Sequence, residues 1–386
     1  MEKQMKIYFD HGATTPVDPL VLEEMLPYFN EKFGNPSSPH SMGSQARKAM
    51  EEAREKIAKA INARPEEIFF TSGGTESNNL ALRGVAQSLK HKGRHIIISP
   101  LEHPCIINAA NYLSTQGFEV SVLKVNKQGL VDPVELQELM TDKTILVSIM
   151  TANHEIGVLQ PVKELAKICK EKNVLFHTDA VQALGKMPVD VQDWNVDLMT
   201  LSAHKIYGPK GIGALFVRKG LSLKPVLFGG GQEKMLRSGT ENVPAIVGFG
   251  KATELAVQRL PENERLQKLR DKLIKGVLDG IDDCQLNGHA EKRVPFNANF
   301  SFKFIEGESL LMLLDDKGIE VSTGSACSSK DLKPSHVLTA IGLSPMEAHG
   351  SLRLTLGRDN TEEEVDYFLK VLPDCVKKLR QMSPLR

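Results

Sequence analysis

Lys205 stands directly behind the apolar run Leu198–Ser202, in Ser202-Ala203-His204-Lys205, and a Gly/Pro-rich turn follows it. Lysine is seldom buried without reason, and desolvation makes it a nucleophile able to form Schiff bases. Taken alone, a lysine reaching out of a turn is the commoner reading. Asp179 closes a second apolar run, in His177-Thr178-Asp179-Ala180-Val181-Gln182. A carboxylate at a buried strand end needs a partner, either a helix N-terminus that it caps or a cationic ligand. Behind Ile68–Thr71 comes Ser72-Gly73-Gly74-Thr75-Glu76-Ser77-Asn78. Two glycines leading into a helix could present N–H groups to a phosphate, or could be an ordinary βα turn. No Walker lysine and no G-x-G-x-x-G accompany them, so nucleotide motifs do not fit. Together, a phosphate cradle, an acid for a pyridinium nitrogen and a strand-end lysine are the parts of a pyridoxal phosphate site.

Other residues extend this set. His103, in Leu101-Glu102-His103-Pro104, could stack on a ring and exchange protons near neutral pH; a surface loop histidine is the alternative. Arg353 lies on an apolar, strand-like run, where it could clamp a carboxylate or form a salt bridge at a domain interface. Cys327 sits in Ser322-Thr323-Gly324-Ser325-Ala326-Cys327-Ser328-Ser329-Lys330, a setting of a mobile, exposed loop, and is the reactive-thiol candidate. Cys105, Cys169 and Cys375 have apolar or helical settings and read as packing residues, and Cys284 has no supporting motif. His154-Glu155 lacks the second histidine of a zinc protease helix, so no metal is expected.

These residues need a scaffold. Short apolar runs alternate with longer helical patterns across the first two thirds. The strands expected are Ile68–Thr71, His95–Ser99, Val120–Val125, Ile145–Met150, Val174–Asp179, Leu198–Ser202 and Gly213–Val217. Helices are expected over Gly43–Asn62, Thr75–Lys92, Pro104–Gln116, Pro133–Met140 and Pro161–Lys172. Continuously apolar strands separated by helices predict an α/β domain with a mostly parallel sheet, whose ligands lie beyond the strands' carboxyl ends. After Val243 the pattern changes to two helices, two strand-like segments around a helix, and a final helix opened by the capping box at Thr361. This last third reads as a smaller α+β domain.

Composition sets outer bounds. The chain has 386 residues, and 48 Lys+Arg balance 48 Asp+Glu, so no net field draws it to nucleic acid or anionic lipid. Five cysteines without C-x-x-C spacing argue against a disulfide framework or structural zinc. No run approaches the roughly 18 apolar residues of a membrane span, and no signal peptide is evident. A soluble, cytoplasmic globular protein is the expectation, and composition says nothing about its chemistry.

The sequence resembles the NifS/IscS-type cysteine desulfurases, fold-type I pyridoxal phosphate enzymes of the class-V aminotransferase group. The resemblance spans essentially the whole chain. It is carried by Tyr8-Phe9-Asp10-His11-Gly12-Ala13-Thr14-Thr15-Pro16, Phe33-Gly34-Asn35-Pro36-Ser37-Ser38, Thr71–Asn78, Leu101-Glu102-His103, Asn153-His154-Glu155-Ile156-Gly157, Thr178–Gln182, Ser202–Lys205, Arg237-Ser238-Gly239-Thr240-Glu241-Asn242 and Gly324-Ser325-Ala326-Cys327. It implies a large cofactor domain with a seven-stranded sheet over residues 15–258, and a small domain of residues 1–14 and 259–386 carrying the cysteine loop. It further implies that Lys205 holds the cofactor as an internal aldimine, Asp179 pairs with the ring nitrogen, His103 stacks on the ring and Gln182 bonds the phenolic oxygen. Gly74, Thr75, Ser202 and His204 then bind the phosphate, with Thr240 of a second subunit. Asn153 contacts cofactor or substrate, and Asn35 and Arg353 hold the substrate carboxylate. His11-Gly12 and His154 depart from the asparagines common there, which bears on fine specificity.

The implied reaction removes sulfur from L-cysteine, leaving L-alanine and a persulfide on Cys327. The persulfide would pass to an acceptor protein of iron–sulfur assembly or of tRNA or DNA thiolation, and the enzyme would be a homodimer with a shared site and no direct nucleic-acid contact. Selenocysteine lyase, or an aminotransferase on the same scaffold, is the nearest alternative reading. An aminotransferase needs no thiol loop and would give a keto acid. A non-enzymatic sulfur-transfer scaffold would be colourless and would not take up the cofactor.

Overall fold

The computed structural model describes residues 6–323 and 333–383. Its first strand is β1 (Ile7–Tyr8). The seven continuously apolar runs then become β2 (Ile68–Thr71), β3 (His95–Ile98), β4 (Glu119–Val122), β5 (Thr144–Ser148), β6 (Leu175–Asp179), β7 (Leu198–Ser202) and β8 (Gly213–Val217). They form one sheet in the order β2-β8-β7-β6-β5-β3-β4. β8 runs antiparallel to β2 and β7, and the remaining pairs are parallel. β5, β7 and β8 are buried along their whole length, as strands covered by helices on both faces must be.

β4 departs from the expected Val120–Val125. It is an edge strand, half exposed, and pairs only with β3. Without a second neighbour its pairing ends at Val122, and Val125 instead bridges to Val131. The helices follow the expected pattern within a few residues, including Ser41–Ala60, Gly74–Leu89 and Pro104–Thr115.

A second core lies around β9 (Cys284–Leu286), β10 (Asn297–Phe302), β11 (Ile319–Glu320) and β12 (Ser351–Thr355). β10 pairs antiparallel with both β9 and β12, while β11 pairs in parallel with β1. Helices Asn263–Gly280 and Glu362–Met382 cover this core. The latter opens on the expected capping box: Glu364 N–H donates to Thr361 Oγ1 at 3.3 Å, and Thr361 N–H to Glu364 Oε2 at 3.0 Å. Ile7 and Phe9 pack into the same core. Residues 10–15, which follow them, therefore run from the second core toward the carboxyl ends of the large sheet.

The sheet interior around the site is rigidly polar at one point. His177, on β6, is fully buried, with Nδ1 2.8 Å from Ser148 Oγ and Nε2 3.1 Å from Thr200 Oγ1. Burial pushes its pKa down to about 3. An unfolded histidine protonates near 6.5, so in acid the unfolded chain takes up a proton that the native ring refuses. This contribution is fully present above pH 6.5 and is lost as the pH falls toward 3. Between pH 6.5 and pH 5 the stability advantage of wild type over His177→Gln should shrink by about 2 kcal/mol. Denaturant titrations of both proteins at several pH values measure it; a constant difference would mean that the ring is protonated in the native state.

Candidate active site

The carboxyl ends of β2, β6 and β7 open on one cavity of ≈ 520 Å³. Gly74, Thr75, His103, Asp179, Gln182, Ser202, His204, Lys205 and Arg353 all line it, from segments spread over the whole chain. The topology explains this convergence, because parallel strands deliver their following turns to one side of the sheet.

Lys205 follows β7 through one short helical turn, Ala203–Lys205. Its Nζ donates to Gly12 O at 2.6 Å and Ala13 O at 2.7 Å. It is therefore turned inward and held by the N-terminal segment, instead of reaching out to water. That segment is pinned in turn: Thr15 N–H donates to His204 O at 3.0 Å and Gly12 N–H to Thr355 Oγ1 at 2.7 Å.

Asp179 is buried at the end of β6. Oδ1 accepts from Val181 N–H at 2.9 Å, and Oδ2 accepts from Asn78 Nδ2 at 2.7 Å. Both carboxylate oxygens are thus held in place by hydrogen bonds, without capping a long helix. Asn78 was quoted in the sequence without a role. Its position one turn inside helix Gly74–Leu89, on a polar face turned toward the sheet, was the available signal.

His103 is the N-cap of helix Pro104–Thr115, and its Nδ1 accepts from Cys105 N–H at 3.2 Å. The proton of the neutral ring therefore sits on Nε2. Burial lowers its pKa, with Asp179 opposing. The His154 ring lies 5.3 Å from it, centroid to centroid, and burial holds His154 well below the usual histidine range. Cys105 packs against an apolar cluster, as its setting predicts. It lines the cavity, with Sγ 3.0 Å from His103 Nδ1 and 3.2 Å from Asn78 Nδ2. Burial pushes its thiol up to about 12, which makes it a poor nucleophile.

Arg353, on β12, reaches the cavity from the second core. It donates to Asp10 Oδ1 at 2.8 Å and to His154 O at 3.2 Å, and its Nε has no partner among the described residues. Arg353 thus pairs with Asp10, which is bridged to Thr355 on the same strand, and presents a guanidinium to the cavity. The Asp10 partner, 343 residues away, was not foreseen.

Three expected residues are not brought to the cavity. Asn153 is buried, but its amide is spent on backbone: Nδ2 donates to Leu101 O at 2.9 Å, and Oδ1 accepts from the N–H of Glu155 and of Ile156. It shapes the turn that carries His154. Asn35 is exposed, and its Oδ1 accepts from Ser37 N–H at 2.9 Å. Thr240 is exposed and stands apart from the cavity within one chain. Cys327 lies outside the described residues.

The residues present fit pyridoxal phosphate. Ser202 Oγ is buried at the cavity with no partner among the described residues. Beside it Gly74 leaves an opening: a Cβ there would stand 3.2 Å from Val181 Cγ2 and 3.9 Å from Ser202 Cβ. The first turn of helix Gly74–Leu89 has N–H groups with no carbonyl inside the helix, and its dipole favours an anion there. His204, pushed down to about 4 by burial, is neutral and can donate to a phosphate oxygen from one ring nitrogen.

The class-V aminotransferase family profile matches residues 7–368. Cysteine desulfurase IscS of Clostridium botulinum is 53% identical over 388 aligned residues, covering 100% of this chain and 97% of that protein. Among solved structures, a NifS-like protein superposes with a TM-score of 0.91 at 44% identity, over 97% of this chain and 100% of its own. A structure of SspA in complex with cysteine gives 0.82 at 37% identity, over 92% and 100%. The fold is that of the class-V aminotransferases. Within that class, the chain belongs to the cysteine desulfurase family.

Proposed function

We propose that this cysteine desulfurase binds pyridoxal phosphate at the cavity described and moves the sulfur of L-cysteine onto Cys327. The observation that carries the reading is the meeting of Lys205, the Asp179–Asn78 pair and the Arg353 guanidinium at one cavity. When bound, the cofactor supplies a carbonyl that joins amines and a ring that accepts charge from the substrate's α-carbon.

The protein's own residues supply the rest. The Gly74–Thr75 helix start, Ser202 and His204 hold the phosphate, with Thr240 of a second subunit. Asp179, oriented by Asn78, would face the ring nitrogen and favour a proton there. Lys205 Nζ would hold the cofactor and, once free, would take the α-proton. Arg353 grips the substrate carboxylate, which fixes the Cα–H bond toward Lys205. His103 Nε2 manages the proton of the substrate thiol. The Cys327 thiolate attacks the substrate sulfur: a sulfur–sulfur bond forms, the Cβ–S bond breaks, and its electron pair stays on the substrate carbon. That carbon takes up a proton, the proton held by Lys205 returns to the α-carbon, and the substrate leaves as alanine.

Asn153 and Asn35 enter this reading only through their loops. The division into residues 15–258 and residues 1–14 with 259–386 is supported by the separate apolar clusters around the two sheets. A homodimer is supported by Thr240's place outside its own chain's cavity and by the exposed Leu22, Leu26, Phe29 and Phe33. No helix among the described residues is long and apolar enough to cross a membrane. The persulfide passes to an acceptor protein, of which iron–sulfur scaffolds and tRNA or DNA thiolation enzymes are the candidate classes; a cytoplasmic location suits these acceptors.

Incubation of the cofactor-loaded enzyme with L-cysteine and a thiol reductant should release L-alanine and sulfide in equal amounts. 3-Mercaptopyruvate in place of alanine and sulfide would point to aminotransferase chemistry and overturn the reading, as would pyruvate and ammonia, the products of β-elimination.

A further inference from the structure

A second lysine stands behind the site. Lys186 extends from the segment after β6 into a narrow cavity of ≈ 60 Å³, whose wall it shares with Lys205. Its Nζ donates to Gln182 Oε1 at 3.1 Å and stands 4.0 Å over the Phe296 ring. The other end of the Gln182 amide, Nε2, donates to Gly12 O at 3.0 Å, the same carbonyl that accepts from Lys205 Nζ. The chain of contacts thus runs from Lys186 through Gln182 and Gly12 to Lys205.

The backbone around Lys186 is built to keep it there. Gly185 has a φ of 69°, and a Cβ on it would meet Ala256 Cβ at 2.6 Å, so the chain can pass this close only with glycine. Lys186 O accepts from Asn263 Nδ2 at 3.0 Å. His11, Asp18, Arg259, Glu262 and Arg358 stand around the same cavity with Lys205. Burial, and secondarily the charge of Lys205, push Lys186 well below the ordinary lysine range. Nothing in the desulfurase chemistry above uses this residue.

We infer that Lys186 is a positioning residue for the desulfurase site: its Nζ holds the Gln182 amide oxygen and so aims Nε2, the donor end, at the Gly12–Lys205 side of the cavity. The inference rests on the reading that Gln182 donates to the cofactor's phenolic oxygen. An amide turned by half a revolution would present an acceptor there instead, and an acceptor repels a phenolate. Lys186 removes that ambiguity, because an ammonium or amine already bonded to Oε1 fixes which end is which.

The test is a pH titration of the visible absorption of the cofactor-loaded enzyme, which needs no turnover. A donor on the phenolic oxygen favours its anionic form, so weakening the donor raises the pH at which the loaded enzyme gives up its proton. Gln182→Ala should raise the midpoint. Lys186→Met should raise it by about half a unit or more, the scale of one lost hydrogen bond. The double variant should shift no further than Gln182→Ala alone. Additive shifts would overturn the inference, because Lys186 would then act by charge and not through Gln182. A shift for Gln182→Ala with none for Lys186→Met would overturn it while leaving Gln182's role intact. No shift for Gln182→Ala would overturn the role of Gln182 itself, and the inference with it. Lys186→Arg keeps a donor, and the adjoining cavity has room for the longer side chain. It should return the wild-type midpoint, and a midpoint still displaced would count against the inference even if Lys186→Met fails to load.

Discussion

Lys205→Ala abolishes alanine formation from L-cysteine, with a loss of roughly 10²–10⁴-fold or more, the contribution of a positioned general base. The expectation rests on geometry. Lys205 Nζ is aimed into the cavity by the Gly12 and Ala13 carbonyls, at 2.6 and 2.7 Å, and three other basic side chains there, His154, His204 and Arg353, are unsuited to the task. His154 and His204 are held low by burial. Arg353 is committed to Asp10, and guanidinium does not give up its proton. Exchange of the substrate α-proton with deuterated solvent, followed by NMR, isolates the step. The variant should retain a cofactor-sized site yet exchange no α-proton. Full alanine production by Lys205→Ala would remove the lysine from its role.

Cys327→Ser separates binding from sulfur capture. The phosphate cradle, Asp179 and Arg353 are untouched, so the variant should take up pyridoxal phosphate and bind L-cysteine with wild-type affinity. Turnover should fall more than about 10³-fold, because a hydroxyl does not replace a thiolate toward sulfur. The other cysteine at hand cannot substitute. With a pKa near 12, the Cys105 thiol is ionised in roughly one molecule in 10⁴ or fewer at pH 8. Cys169, Cys284 and Cys375 are likewise raised by burial. Spectral titration with L-cysteine, alongside alanine release, measures both halves; persulfide accumulating on Cys327→Ser would assign the nucleophile elsewhere.

What the sequence made legible follows from what is local. β2, β6, β7 and β8 were readable because apolar runs buried on both faces carry their own signature, and the residues just past them had to face the ligand side of the sheet. Lys205, Asp179 and Gly74 became candidates when the three strand ends were taken together, and the resemblance added roles. Contacts between distant segments were not legible. Asn78 meets Asp179 across 101 residues, and Arg353 meets Asp10 across 343; no spacing encodes either pairing. Cys105 packs as its apolar setting predicts, but its second contact, with the cavity wall, depends on where the helix starts relative to the sheet. The resemblance implied a cofactor or substrate contact for Asn153, whereas three backbone groups engage its amide. β4 was overextended because apolar content alone does not distinguish a central strand from an edge.

The account stands most directly on where the sulfur goes. Cofactor-loaded enzyme, reduced and freed of small thiols, is given one equivalent of L-cysteine, and the quenched protein is digested and weighed peptide by peptide. The peptide holding Cys327 should gain the mass of one sulfur atom, with one alanine released for each. Sulfur on the peptide holding Cys105, or alanine released with no sulfur retained on any peptide, would contradict it.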